Sequence, residues 1–333
     1  MISEKAHVLV TGGAGFIGSA FIRMLLRMPS FSGRVVNVDK LTYAANLDLL
    51  NGFHKHPRYR FFQGDINHTE LIEKICLESE IDAIVHFAAE THVDRSIEAS
   101  AAFVDANIRG TVSLLEVLRK YPHIHFHHIS TDEVYGSLGD SGHFTEKSPY
   151  RPNSPYSATK AASDHLVRAY AHTYKLSTTI SHCSNNYGPG QYPEKLIPLM
   201  LSRCLAKQPL PIYGRGANVR DWIYVGDHVD AIWTILRRGQ KGQTYNIGGN
   251  CEMSNLELVH SLIETLAKHL DVDPEIYRSL IRFVADRPGH DFRYAIDTTK
   301  MEEEFGWRPH FSWRQGLKKT VQWYTQRDSK FGR

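Results

Sequence analysis

The chain has 333 residues, 42% hydrophobic and 23% charged, enough for a large core and for two substructures. Its net charge of +3 comes from lysines and arginines scattered among acids, which argues against a nucleic-acid surface and suits a small anionic ligand. Cys76, Cys183, Cys204 and Cys251 make no CxxC and read as free thiols of a reducing compartment, and no stretch is long enough to span a bilayer, so a soluble, cytoplasmic protein is expected.

Residues 7–10 form a short apolar run, followed by Thr11-Gly12-Gly13-Ala14-Gly15-Phe16-Ile17-Gly18 and an amphipathic segment over 19–28. The pattern predicts strand, glycine turn and helix. Gly12, Gly15 and Gly18 let the backbone approach a pyrophosphate, whose charge is met by the amides and dipole of the helix start. A second strand over 34–39 ends in Asp39, where a carboxylate can accept both ribose hydroxyls of an adenosine; this selects NAD over NADP, whose extra phosphate Asp39 would repel. Strand and helix patterns keep alternating: 59–64, then Asp65-Ile66 and a helix from Thr69; 81–87, then Ala88-Ala89-Glu90-Thr91; a long helix over 107–118; and the strand before Ser130. Such alternation predicts a Rossmann-type doubly wound parallel sheet. Its ligands belong beyond the carboxyl ends of the strands, where Gly12, Asp39, Asp65, Ala88 and Ser130 all fall.

After Ser130 come Thr131, Asp132, Glu133, Val134, Tyr135 and Gly136; further on, Tyr156-Ser157-Ala158-Thr159-Lys160 opens a helix reaching about residue 174. Tyr156 and Lys160 stand at i and i+4 on one helical face, where an ammonium favours the phenolate and tunes the tyrosine to exchange a proton with an alcohol. Thr131 can hydrogen-bond the same alcohol. Asp132 and Glu133 then have no structural duty and point to a second acid–base reaction. His123, His125, His127 and His128 cluster in and before the same strand, but the chemistry needs no metal, so no metal site is assigned. Residues 177–183 read as one more strand, after which Pro189, Pro193, Pro198, Pro209 and Pro211 punctuate shorter elements. The expected division is an NAD-binding domain over 1–185, with returning segments from the C-terminal half, and a smaller mixed α/β substrate domain over 186–333 that closes over the crevice.

These residues resemble the extended short-chain dehydrogenase/reductases and, within them, the dTDP-glucose 4,6-dehydratases. Besides the segments above, the resemblance rests on Asp39-Lys40-Leu41-Thr42-Tyr43, on His92-Val93-Asp94-Arg95-Ser96, on Ser184-Asn185-Asn186-Tyr187-Gly188-Pro189, on Pro193-Glu194-Lys195-Leu196-Ile197-Pro198 and on Asn218-Val219-Arg220-Asp221-Trp222. It covers nearly the whole chain, and the Thr-Asp-Glu triplet narrows it to dehydratases. The resemblance implies that Tyr156 takes the proton of the hexose C4 hydroxyl while hydride leaves C4 for NAD, with Thr131 holding the oxygen and Lys160 tuning the phenol and binding the nicotinamide ribose. It further implies that Glu133 removes the C5 proton, that Asp132 in its acid form protonates the departing C6 hydroxyl, and that hydride returns to C6.

For the cofactor the resemblance adds Phe16, Ile17, Ile66, Ala89 and Thr91 to the positions already read, with Tyr156 and Lys160. For the nucleotide diphosphate it implies Asn185, Lys195, Arg220, Asn255 and Arg287, with Tyr213 stacking on the base; cationic and amide donors suit pyrophosphate. It also implies a homodimer, through helices over 99–119 and 155–174 that pair into a four-helix bundle. Three positions depart from the family's pattern: His182 stands where an arginine is usual, Gly190 where an aromatic is frequent and Phe292 where a basic residue is expected. They leave a UDP-sugar open as substrate. A C4 epimerase or decarboxylase would share the cofactor residues and Tyr156/Lys160 but has no need of Asp132 and Glu133, and a non-catalytic NAD-binding protein would have lost some of these groups.

Overall fold

The computed structural model describes residues 2–286 and 289–331. Six strands of the central sheet come from the first part of the chain: β1 (Val8–Thr11), β2 (Val35–Asp39), β3 (Tyr59–Gln63), β4 (Ala83–His86), β5 (His125–Thr131) and β6 (Thr178–Cys183). The chain then forms β7 (Asn185–Tyr187), β8 (Leu210–Tyr213) and β9 (Val219–Tyr224) elsewhere, before β10 (Thr244–Ile247) returns to pair with β6. The order is β10-β6-β5-β4-β1-β2-β3 and every pair is parallel. Strand order reverses between β1 and β4, which places a crevice at their carboxyl ends.

Helices cover both faces, and β1, β2, β4, β5, β6 and β10 are accordingly buried along their length. On one face α1 (Phe16–Arg27) packs Phe21, Ile22 and Leu25 into a core shared with Ile232 and Trp233. On the other, Ile72 of α2 (Thr69–Glu78) meets Leu114 and Leu118, followed by Val167. Between β4 and β5 the chain makes α3 (Val93–Glu98), α4 (Ser100–Phe103) and α5 (Gly110–Lys120). The single helix expected over 107–118 is interrupted: residues Val104–Arg109 form a π-helical stretch before α5. The Asn107 carbonyl accepts from the Thr111 and Ser163 hydroxyls, at 2.6 and 2.7 Å, and these compete with the regular ladder. Such bulges widen a helix locally, and this one brings Asp105 and Ala106 to the crevice.

The next helix, α6 (Pro155–Tyr174), starts on a capping box in which Ser154 and Ser157 bond reciprocally, with Pro155 in the first turn. That cap fixes Tyr156 and Lys160 on the first two turns. The remaining strands, β11 (Glu252–Ser254), β12 (Ile281–Val284) and β13 (Arg293–Tyr294), make two small sheets: β9 is flanked by β7, β11 and β13, and β8 pairs with β12. They pack with α7 (Leu196–Leu205), α8 (Val225–Arg238), α9 (Asn255–Leu270) and Trp313–Phe331; Met200, Leu201, Leu258, Leu262, Trp222 and Leu317 share one core there.

Candidate active site

A cleft of about 430 Å³ opens at the carboxyl ends of β1 to β6. Gly12, Gly15, Phe16, Ile17, Gly18, Asp39, Asp65, Ile66, Ala88, Ala89 and Thr91 line it together with Thr131, Asp132, Glu133, Tyr156 and Lys160. Residues spread over 149 positions of sequence thus meet in one space because each follows a strand of one parallel sheet.

The cofactor end fits a dinucleotide. Gly12 has φ +70°, and a Cβ on it would lie 2.6 Å from the Ala88 nitrogen; on Gly18 it would lie 2.4 Å from the Gly12 carbonyl oxygen. No side chain caps α1, so its first amides stay available to an anion where Gly15, Phe16 and Ile17 meet the cleft. Asp39 accepts the Ala14 amide at 2.9 Å on one oxygen and the Leu41 amide at 2.8 Å on the other. Burial raises its pKa against those two bonds, and each oxygen keeps a second lone pair for a ribose hydroxyl. These residues would hold NAD.

The reacting end is built on the turn after β5. Thr131 caps the short 3-10 turn Asp132–Tyr135: its hydroxyl accepts the Glu133 amide and donates to Asp132 Oδ1, each at 3.3 Å. Asp132 is 1% exposed, and its Oδ2 is buried without a hydrogen-bond partner among the described residues. Burial first, then the neighbouring charges of Glu133 and Asp221, push its pKa well above the usual carboxylate range, while Arg220 opposes them. Both influences favour the protonated form of the carboxyl.

Tyr156 is likewise enclosed. Burial and then Glu133 hold its phenol well above the ordinary value, with Thr131 opposing through a hydrogen bond. Lys160 donates to the Ile129 carbonyl at 2.8 Å, and in place of the lowering expected from it the phenol is held up by burial and then by Glu133. Burial in turn lowers Lys160 to about 8.

Of the residues the resemblance assigned to the nucleotide, Asn185 and Lys195 line the cleft, and Lys195 Nζ reaches the Thr91 carbonyl at 3.2 Å. Tyr213 on β8 is 43% exposed, and Asn255 opens α9 with its amide on the Asn218 carbonyl; neither is among the lining residues. Arg220 on β9 is buried beside the cleft, donates to the carbonyls of Val219, Asp291 and Phe292 and covers the Tyr294 ring at 4.3 Å. Arg287 lies outside the described residues. The departures fall in three different places. His182 is buried on β6 of the central sheet, Gly190 lines a neighbouring cavity of about 340 Å³ with Tyr192, Trp323 and Tyr324, and Phe292 is 41% exposed.

Two groupings escaped the sequence reading. Across the mouth, Glu194 accepts from Arg95 and from the Tyr43 hydroxyl, each at 3.2 Å, and the Arg95 guanidinium lies 3.7 Å from the Tyr43 ring centroid. These residues stand in the quoted motifs, but no local periodicity shows that they meet. The histidines of β5 contribute to hydrogen bonding in the packed layer: His125 and His127 bond Ser177, Thr179 and Ser181, while His128 Nε2 lies 3.3 Å from Asp164. Asp164 at i+4 from Lys160 is the overlooked member, and its signal was an acid on a helix face that is otherwise core.

The family described as GDP-mannose 4,6 dehydratase matches residues 9–320. A dTDP-glucose 4,6-dehydratase of Xanthomonas campestris pv. campestris (strain B100) is 51% identical over 326 residues, covering 95% of this chain and 92% of that protein. Among solved structures, a dTDP-glucose 4,6-dehydratase of Streptomyces venezuelae with NAD bound is 46% identical with a TM-score of 0.91, and one of Bacillus anthracis in complex with NAD is 47% identical with a TM-score of 0.88. Each covers 97% of this chain and 98% of the other.

Proposed function

The chain belongs to the family described as GDP-mannose 4,6 dehydratase, and from that premise we propose that it converts dTDP-glucose to dTDP-4-keto-6-deoxyglucose with NAD as resident cofactor. The observation that carries this reading is Asp132: a buried acid whose Oδ2 has no hydrogen-bond partner among the described residues, held beside Glu133 in the cleft that also contains Tyr156 and Lys160. A dehydrogenase or epimerase has no use for an acid with an idle proton; expulsion of a C6 hydroxyl requires one.

In this reading Tyr156 Oη takes the proton of the C4 hydroxyl and Thr131 Oγ1 holds the same oxygen. Lys160 provides the positive charge beside the phenol and a donor to the nicotinamide ribose. NAD, which Gly12, Gly15, Gly18 and Asp39 would hold, would supply a reversible acceptor for the hydride of C4 and its later return to C6. The C4 ketone acidifies the C5 proton, which Glu133 removes, while Asp132 Oδ2 hands its proton to the C6 hydroxyl leaving as water; a proton then returns to C5. The Asp132 proton is there to give because burial and Glu133 keep it on the carboxyl. Asn185, Lys195, Arg220, Asn255 and Arg287 are proposed for the diphosphate and Tyr213 for the base.

The same reading includes a homodimer through the helical segments 99–119 and 155–174, supported by Val104 and Tyr174, large hydrophobic residues exposed on those segments. It includes a cytoplasmic location, in keeping with three buried free cysteines and with no described helix long and apolar enough to cross a membrane. It also divides the chain into a cofactor domain over 1–185 and a substrate domain over 186–333, with β10 returning to the first.

The test is to incubate the purified protein with NAD and dTDP-glucose, with UDP-glucose and GDP-mannose alongside, and to read the alkali-induced absorbance of a 4-keto sugar. The highest kcat/KM is expected with dTDP-glucose. No product from any of the three overturns the dehydratase, a C4 epimer overturns the elimination step, and preference for UDP-glucose overturns the choice of base.

A further inference from the structure

Behind the cleft wall lies a cluster of ionisable side chains that the proposed reaction does not touch. Asp164 stands one helical turn beyond Lys160 on α6 and is fully buried. Its Oδ2 accepts from Ser130 on β5 at 2.9 Å, from His182 Nε2 on β6 at 2.8 Å and from the Tyr150 hydroxyl at 2.8 Å, and Arg168 donates to Tyr150 in turn. A carboxylate is buried at tolerable cost only where donors satisfy it. Burial opposes ionisation of Asp164, but the neighbouring imidazoles of His128 and His182 prevail and hold its carboxyl well below the usual range. Its other oxygen, Oδ1, lacks a well-formed hydrogen bond and lies 3.3 Å from His128 Nε2. That same nitrogen lies 3.5 Å from Lys160 Nζ.

We propose that Asp164 is a positioning residue for the Tyr156/Lys160 pair, acting on the Lys160 ammonium by its charge from one helical turn away, with both groups gathered around His128 Nε2. The inference rests on the reading of Lys160 as part of the reacting centre. Lys160 is enclosed by His86 of β4, His128 of β5, Cys183 of β6 and, on its own helix, Asp164 and Tyr156; among the described residues it donates to the neutral Ile129 carbonyl at 2.8 Å. Of these neighbours Asp164 alone carries a full negative charge. Burial lowers Lys160 to about 8, and Asp164 is the largest opposing influence. An ammonium sited there without that countercharge gives up its proton near neutrality, and the phenol beside it then loses its positive neighbour. Ser130, His182 and Tyr150 serve this arrangement by keeping the carboxylate ionised and fixing its direction.

The experiment titrates the Lys160 ε-carbon by NMR in NAD-loaded protein labelled with 13C-lysine, its resonance assigned by absence from Lys160→Met. Asp164→Asn is expected to lower that titration by about 1 pH unit or more. The alkaline limb of kcat should move the same way, with KM for the sugar nucleotide changing less. Ser130→Ala removes one bond to Asp164 and keeps the charge, so it should leave the Lys160 titration in place. His128→Asn should move it in the direction of Asp164→Asn by a smaller step, and carries the test alone if Asp164→Asn does not fold. An unmoved Lys160 titration in Asp164→Asn, or in His128→Asn where Asp164→Asn does not fold, overturns the proposal, as does a fall in activity that is uniform across pH. The titration does not depend on which sugar is processed, so failure of the substrate reading is seen separately in the wild-type assay.

Discussion

Asp132 and Asp164 are the same residue type and both buried, one in the turn after β5 and the other on α6, yet their surroundings push their pKa values in opposite directions. Asp164 meets Ser130, Tyr150, His182 and His128; Asp132 meets one threonine hydroxyl and an adjacent glutamate, and among the described residues no donor reaches its Oδ2. Burial is common to both. What separates them is the supply of donors, which turns one carboxyl into a fixed charge and leaves the other an acid.

The comparison breaks most visibly in kinetics. Asp132→Asn should slow water loss by about 10²–10⁴-fold while leaving C4 oxidation less affected, as single-turnover kinetics would separate; oxidation emerging as the main casualty would refute the role given to Asp132. Stability should split the pair in the opposite sense. Removing one partner of a buried charged network costs about 3–5 kcal/mol, so Asp164→Asn should lose that much in urea unfolding at neutral pH, whereas Asp132→Asn, which removes an acid that the fold disfavours in its charged form, should gain about 1 kcal/mol. The folded pKa of Asp164 is depressed, so its contribution is present above the unfolded value and disappears as pH falls through the folded one; that of Asp132 is raised, so its contribution is present below the unfolded value and is lost as pH rises through the folded one. The two variants should therefore converge toward wild-type stability in acid. Ser130→Ala, which trims a single bond from Asp164, should cost only about 1 kcal/mol in the same unfolding measurement.

The cleft's first half was legible because its information is local. A glycine turn between strand and helix, an acid at a strand end, and Tyr156 and Lys160 on one helical face each follow from backbone geometry within a few residues. Asp132 and Glu133 were legible by elimination, as groups with no structural use. The π-helical turn at Asn107 was not, since it depends on Ser163 reaching across from another helix. Nor was the surrounding of β9, whose partners β7, β11 and β13 come from separate stretches of chain. Asp164 shows the same limit: its neighbours converge from β5, β6 and the loop at Tyr150, and no sequence period links them. His182 looked like a change in the substrate pocket, but it donates to that buried carboxylate instead.

The return of β10 to the sheet has a consequence for how the protein is made. Every other strand of the central sheet has been synthesised once Cys183 has emerged, but β6 is left as an edge until Thr244–Ile247 follow. An unpaired strand edge is a template for another chain. Translation through residues 184–243 is therefore the interval in which a nascent chain is open to misassembly on crowded polysomes, and in which a holding chaperone has most to protect.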